Sequence, residues 1–298
     1  MTKRRKQRQD ALAQMAGKTN PVLQVWKNFR KNPVALTALL ILLAMMVVAV
    51  ASGFLFDYDT QVVGLNPAER LQSPSAAHWF GTDAFGRDVF IRVIYGARYS
   101  LFIGIVTSAV SMTLGIIIGA SCAYFGGIYD IVMMRVMDSI VCIPSMLLML
   151  ALVAVLGKGM NGIIIALIAT SVPGFSRIVR SIVLNVVHQE YVEAAVACGT
   201  SHGEIIVRHI LPNCFGPILV DVLMSVAGCI MAASSLSYLG MGIQVPAPEW
   251  GAMLSDATPL LRAYPYLAIF PGIAIVLTSL CFNLIGDGLT DALDPKNR

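Results

Sequence analysis

Uncharged apolar runs recur along the chain, separated by short polar intervals. Six are long enough to be read as membrane helices: residues 34–56, 101–125, 139–156, 159–176, 215–239 and 263–286, with Asp221 the one charge among them. The first run, 23 residues, rises roughly 35 Å as a helix and exceeds the ~30 Å hydrocarbon core. Ala49-Val50-Ala51 resembles a signal-peptide cleavage site, but the run is too long and continues through Phe56, so it reads as a retained anchor. The second run carries Gly104, Ser108, Ser111, Gly115 and Gly119, small residues spaced by three and four that suit close helix contacts. Pro144 stands near the start of the third run. The fourth is expected to run on past Arg177 and Arg180, which would snorkel at the membrane edge. The pattern predicts an all-α polytopic membrane protein with six transmembrane helices.

The longest polar interval in the second half is 188–212, HQEYVEAAVACGTSHGEIIVRHILP. It reads as helix, break, helix, stop. Glu190 and Glu193 lie in the first turn of a short helix, where negative charge suits the dipole. Gly199 sits where a left-handed residue ends a helix. Ser201 and Glu204 form the S-x-x-E capping box of a second helix, and Pro212 is expected to stop it. A two-helix elbow between spans suits a docking partner, with a merely solvated loop as the alternative.

The other long polar stretch is 57–100. Gly81, Gly86 and Gly96 punctuate it, and Asp83, Arg87, Asp88, Arg92 and Arg98 alternate in sign. It reads as a contact surface or as a local ion-pair cluster, of Asp83, Arg87 and Asp88, that ties down a loop. Residues 89–101 suit an amphipathic helix before the next span. Ahead of the first span, residues 1–31 hold nine Lys or Arg against one acid, Asp10. A nucleic-acid-binding arm would look like this, but the apolar run that follows at once favours a basic anchor at a membrane, and no nucleic-acid partner is expected. The tail reads as loose as far as Asn20. Residues 21–31 suit a surface amphipathic helix, and Asn32-Pro33 supplies a cap and a first-turn proline. The organisation is therefore a basic segment (1–33), a first span with its outer loop (34–100), and a five-helix remainder (101–298).

Composition narrows the class. Apolar residues make up 57% of the 298 and charged ones 13%, half of what an ordinary soluble domain carries. Placing the N-terminus inside puts fifteen Lys and Arg in the cytoplasmic parts and six outside, which favours N-in and C-in. The elbow then faces the cytoplasm, and 57–100 and 240–262 face out. Ordinary catalytic chemistry finds no footing. There is no H-E-x-x-H, and His78, His188, His202 and His209 are scattered over loops, so no metal is expected. None of the six cysteines falls in an outer loop, so no disulfide framework is expected. Gly17-Lys18-Thr19 lacks the glycine a phosphate loop needs at position 12, where Leu12 stands. Ionisable groups deep in the spans are nearly absent, Asp221 lying toward a cytoplasmic end, which argues against an ion-coupled carrier. An intramembrane enzyme would need a metal or Ser/His constellation that is not seen.

Glu193-Ala194-Ala195, Gly199 and Leu211-Pro212 resemble the E-A-A-x3-G-x9-I-x-L-P loop of permease subunits of binding-protein-dependent ATP-binding-cassette (ABC) importers. His209 stands where the general pattern has an apolar residue, and RHILPN (208–213) resembles the branch that takes up peptides and nickel. FGTDAFGRDVFIRVIYGARYSL (80–101), YLGMGIQVPAPEWG (238–251) and GDGLTDALDP (286–295) are similar to the C-type permease of dipeptide and oligopeptide systems.

The resemblance implies the type I ABC importer permease fold, with one N-terminal helix ahead of a five-helix core, in a bacterial inner membrane. It implies that the elbow holds a coupling helix docking on a separate ATPase. Glu193, Ala194, Ala195 and Gly199 would shape the dock, and Ser201, Glu204, His209 and Pro212 would belong to the same lever. It implies two ATPase subunits that bind the ATP, a homologous second permease, and an extracytoplasmic binding protein. The chain itself would hold no cofactor and carry no enzymatic site. Gly81, Thr82, Asp83, Gly86, Arg87, Asp88 and Trp250 are the expected contacts with the binding protein. Peptide uptake is the expected role, with nickel chelates or glutathione as alternative cargo.

Overall fold

The computed structural model describes residues 21–294. The basic tail as far as Asn20 lies outside the described residues, as do Lys296 and Arg298. Among the described residues the regular elements are helices joined by loops, with no named strand. Its helices are α1 (Pro21–Phe29), α2 (Pro33–Leu55), α3 (Val89–Phe125), α4 (Gly127–Val141), α5 (Ser145–Leu156), α6 (Met160–Leu184), α7 (Glu190–Ala197), α8 (His202–Tyr238), α9 (Trp250–Ala257) and α10 (Tyr266–Leu293).

Local chemistry sets the start of the bundle. Asn32 caps α2, its Oδ1 accepting from the N–H groups of Val34 (3.1 Å) and Ala35 (3.2 Å), with Pro33 in the first turn. The amphipathic α1 forms as expected. Its Phe29 is buried and lies against the position of Gly288 on α10, so α1 is stitched to the end of the chain.

Among the described residues, five helices are long and apolar enough to cross a membrane, six if the bent pair α4 and α5 counts as one span. Their outward faces carry bare apolar side chains such as Phe54 (90% exposed) and Val155 (86%), which water would not tolerate in such number but lipid does. The third expected span is corrected. Residues 139–156 are not one straight helix: α4 and α5 meet at 84° around Cys142–Pro144. Pro144 lacks an N–H and disfavours helical geometry at Ile143, so the helix stops and restarts. At 12 residues, α5 spans only about 18 Å and does not cross ~30 Å alone.

The small residues of α3 mark its two packing faces. A Cβ on Gly104 would come within 2.5 Å of Ile230 on α8, one on Gly115 within 2.5 Å of Phe175 and one on Gly119 within 2.4 Å of Ser176 O on α6. Alanine at any of the three would push a helix away. Between them Ser225 donates to Ser108 (3.0 Å), and Ser108 donates to Cys229 Sγ (3.4 Å). The expected amphipathic segment 89–101 is not separate; it is the first third of α3, one 37-residue helix.

Arg177 and Arg180 do not merely snorkel. Arg177 Nη2 donates to Asp138 (2.7 Å) and Arg180 Nε to Asp130 (2.6 Å), so two rungs join α6 to α4.

Candidate functional site

The elbow follows α6 and is built around α7. Gly199 has φ +76° and closes the helix: its N–H donates to Val196 O (2.9 Å), and the N–H of Thr200 donates to Ala195 O (3.2 Å). This doubly bonded C-terminal turn needs a left-handed residue at that position. A Cβ on Gly199 would meet nothing within 4 Å, so the requirement is conformational and not one of space.

The two faces of α7 differ. Val192 and Ala195 are buried in a cluster with Ala120 of α3, Val179 and Val183 of α6, and Ile205 and Ile210 of α8. Glu193 and Ala194 are exposed, and so are Tyr191 and Val196. The adjacent alanines therefore part company, Ala195 seating the helix and Ala194 facing out. The outward face is mostly apolar apart from its carboxylates.

The second half of the elbow corrects two expectations. Ser201 does cap, its Oγ accepting from Glu204 N–H at 3.4 Å, but the Glu204 carboxylate accepts from Arg208 Nη1 (2.6 Å) in place of closing the box. Pro212 does not stop the helix. Residues Ile205–Ile210 widen into a π-helical turn in which the Leu211 N–H reaches back to Ile206 O. The wider register clears the carbonyl that the proline ring would strike, and α8 runs on to Tyr238. Through α8 the elbow is continuous with a membrane helix. His209 is half-buried, its carbonyl accepting from Asn213 Nδ2 (2.7 Å). His202 Nδ1 is bonded to the Tyr124 hydroxyl (2.8 Å) and packed edge-on against the rings of Tyr124 and Phe125 at the end of α3.

The opposite end of the bundle is locked. Asp88 caps α3 through the N–H groups of Phe90 (2.8 Å) and Ile91 (3.1 Å) and holds His78 Nδ1 at 2.8 Å. Asp83 accepts from Arg87 Nε (2.6 Å) and lies 3.7 Å from Arg92. Arg92, 2% exposed, also donates to Val62 O (2.9 Å) and Pro246 O (3.2 Å), joining the loops before α3 and after α8 to α3. Glu249, fully buried, caps α9 by accepting from Gly251 N–H and Ala252 N–H, both at 2.9 Å. Burial pushes its carboxyl above the usual glutamate range, against the pull of those two donors and of Ser100. Trp250 Nε1 donates to Val93 O (2.9 Å).

These positions correct the expected outer contacts. Trp250 is 1% exposed, and Gly81, Thr82, Gly86 and Arg87 are buried; Asp83 and Asp88 are half-buried. A side chain that is spent inside the fold presents no surface to a partner. Of the expected ion-pair cluster, Asp83 and Arg87 do pair, with Arg92 beside them, whereas Asp88 holds His78 and the start of α3. The side chains left facing out at this end include Leu65, Trp79, Phe85 and Val245. Sequence reasoning missed Glu249 and the Asp130 and Asp138 rungs.

Known proteins are similar to this chain. Residues 111–298 match the family of binding-protein-dependent transport system inner membrane components, and residues 20–74 match the N-terminal transmembrane domain of oligopeptide transport permease C. The dipeptide transport system permease protein DppC of Alkalihalophilus pseudofirmus is 41% identical over 277 residues, covering 93% of this chain and 90% of that protein. The glutathione transport system permease protein GsiD of Escherichia coli is also 41% identical over 277 residues, covering 93% and 91%. A chain from inward-facing structures of the MetNI methionine ABC transporter superposes with a TM-score of 0.53. It covers 68% of this chain and 97% of that one at 16% identity, a likeness of fold. Span pattern, elbow and matches agree: the chain belongs to the binding-protein-dependent transport system inner membrane components, as an ABC importer permease of the peptide and nickel branch.

Proposed function

We propose that this permease carries peptides across a bacterial inner membrane, with both termini and the elbow in the cytoplasm. A binding protein delivers the cargo on the far side, a homologous permease completes the path, and two separate ATPase subunits bind ATP and drive the cycle. The relatives named for dipeptide and glutathione transport favour short peptides as cargo. The charge bias of the sequence favours the orientation.

One observation carries the coupling role. The short helix α7 turns an apolar outer face with Tyr191, Ala194 and Val196 away from the chain while its underside is anchored on α3, α6 and α8. An exposed apolar helix on a solvated elbow is costly unless a partner covers it. A push on that face passes through the packing of Val192 and Ala195 on Ile205 and Ile210 into α8, a membrane helix. Alternating access then follows: ATPase closure shifts the elbows, and the membrane helices rearrange around the path. At the opposite end the binding protein would rest on the frame's outward side chains, Trp79 and Phe85 among them.

The test is transport by the assembled complex. Glu193→Arg and Gly199→Val are expected to abolish uptake while the subunit remains in the membrane at its normal level. Unimpaired uptake by both variants would remove the docking role.

A further inference from the structure

A groove of about 500 Å³ runs between α5, α6 and α8, lined by Thr170, Ser171 and Gly174 of α6 and by Asp221, Ser225 and Gly228 of α8. Three observations set it apart from the packing around it. Asp221 is the one charged residue in the apolar stretch of α8, and its Oδ2 is buried without a hydrogen-bond partner. An unpaired carboxylate in that setting is costly, and within a membrane helix it marks a substrate or ion route more often than a structural role.

The glycines are the second observation. A Cβ on Gly104, Gly115 or Gly119 would strike the chain itself, whereas a Cβ on Gly174 or Gly228 would meet nothing within 4 Å. Glycine weakens a helix, so these two are kept for something other than packing within this chain. They leave the groove wide and its backbone bare.

The third is the direction of the hydroxyl hydrogens. Thr170 donates to its own helix at Ala166 O (3.1 Å) and Leu167 O (3.0 Å), and Ser225, 2.7 Å from Val222 O and 3.0 Å from Ser108 Oγ, shares its one hydroxyl hydrogen within the bundle. With those hydrogens committed, the oxygens face the groove as acceptors. A largely apolar groove that carries hydroxyl acceptors and one unpaired carboxylate suits a ligand with an apolar body and a positively charged N–H donor group.

We infer that Asp221 receives an ammonium group of the substrate as it passes along this groove, and so favours cationic over anionic peptides in transit. The inference rests on the importer reading and adds to it the residue that reads substrate charge inside the membrane. The relevant cation is the side-chain ammonium of a lysyl residue, with its three N–H donors.

The experiment uses the complete transporter in membrane vesicles with saturating binding protein. Maximal uptake is compared for alanyl-lysine and alanyl-glutamate, so that the binding protein's own preference cancels between variants. Asp221→Asn is expected to lower the lysyl-to-glutamyl ratio at least fivefold, and Asp221→Glu to hold it within twofold. A ratio unchanged in Asp221→Asn, including an equal loss for both peptides, overturns the inference because a merely structural role would act on both alike. A second readout does not depend on uptake. The thiol of Asp221→Cys is expected to react with a membrane-impermeant cationic methanethiosulfonate in at least one nucleotide state, and more slowly with dipeptide present. No reaction in any state places Asp221 off the aqueous path and overturns the inference. Wild-type vesicles that import neither peptide would instead defeat the peptide reading, and the labelling would still decide whether the groove is open to water.

Discussion

The two ends of this permease are built on opposite principles. At the loop end, polar groups are buried and cross-linked over long sequence distances: Arg92 to Val62 and Pro246, Trp250 to Val93, Tyr266 to Gln72 and Thr82. At the elbow, polar bonds are exposed, whether local as in Glu204 with Arg208 or distant as in His202 with Tyr124, and the seat is an apolar cluster under α7. Buried, satisfied polar networks specify one geometry and break at high cost. An apolar seat is less directional and tolerates small displacements. The division suits a protein in which one end stays in register while the other takes up motion.

The sharpest way to break this comparison is to cut one bond at each end. Arg92→Leu leaves Val62 O and Pro246 O without their donor and takes a charge from the Asp83 cluster. Removing one partner from a buried ion pair costs about 3–5 kcal/mol. The expected result is a large drop in thermal stability in detergent and little subunit in the membrane. Glu204→Ala breaks an exposed i,i+4 pair worth about 0.3–0.5 kcal/mol, so its melting temperature is expected to stay close to wild type. Similar losses from the two would erase the distinction.

Two glycines sharpen it further. A Cβ on Gly96 would stand 1.9 Å from Pro248 O, so Gly96→Ala must force the 246–251 segment off α3. Overpacking of this kind costs about 1–3 kcal/mol, and the loss is expected in stability and membrane level. Gly199→Ala has open space but φ +76°, a conformation costing a non-glycine residue about 1–2 kcal/mol. Here the strain falls on the local turn. Membrane level is expected to hold while uptake per subunit falls, and Gly199→Asn, which enters the left-handed region more readily, is expected to recover part of it.

The same contrast explains what the sequence disclosed. Lipid demands long uninterrupted helices, so the apolar runs were legible, and Gly199 was legible because a left-handed helix end has few alternatives. Prolines misled in both directions. Pro144 was read through but breaks its helix, whereas Pro212 was read as a stop but is absorbed by a π-turn at Ile205–Ile210. Whether a helix survives proline depends on the register of the preceding turn, which no residue announces. The frame was opaque because its partners are distant in sequence, Arg92 and Pro246 by 154 residues. Asp130 and Asp138 were opaque for the same reason, lying 50 and 39 residues from their arginines. The groove was hidden because glycines that a neighbour fills and glycines that stand open look alike in a sequence.

Glu249 gives the smallest and most diagnostic signal, because two forces on it oppose. Burial favours the protonated carboxyl, while the Gly251 and Ala252 N–H groups favour the carboxylate, and burial prevails so that its pKa is raised. A group whose pKa is higher folded than unfolded binds more protons in the folded state. Its contribution is therefore fullest below the ordinary glutamate value and is lost as pH rises through the raised one, with a slope of at most about 1.4 kcal/mol per pH unit. Glu249→Gln removes that titration. The melting temperature of the wild type, measured against the variant, is expected to fall as pH rises through that window, other titrating groups cancelling in the difference. A difference that rises with pH would mean that the backbone donors win and that the loop end is held by a buried charge. The frame would then be an electrostatic clamp, and acid would loosen it where burial predicts that acid tightens it.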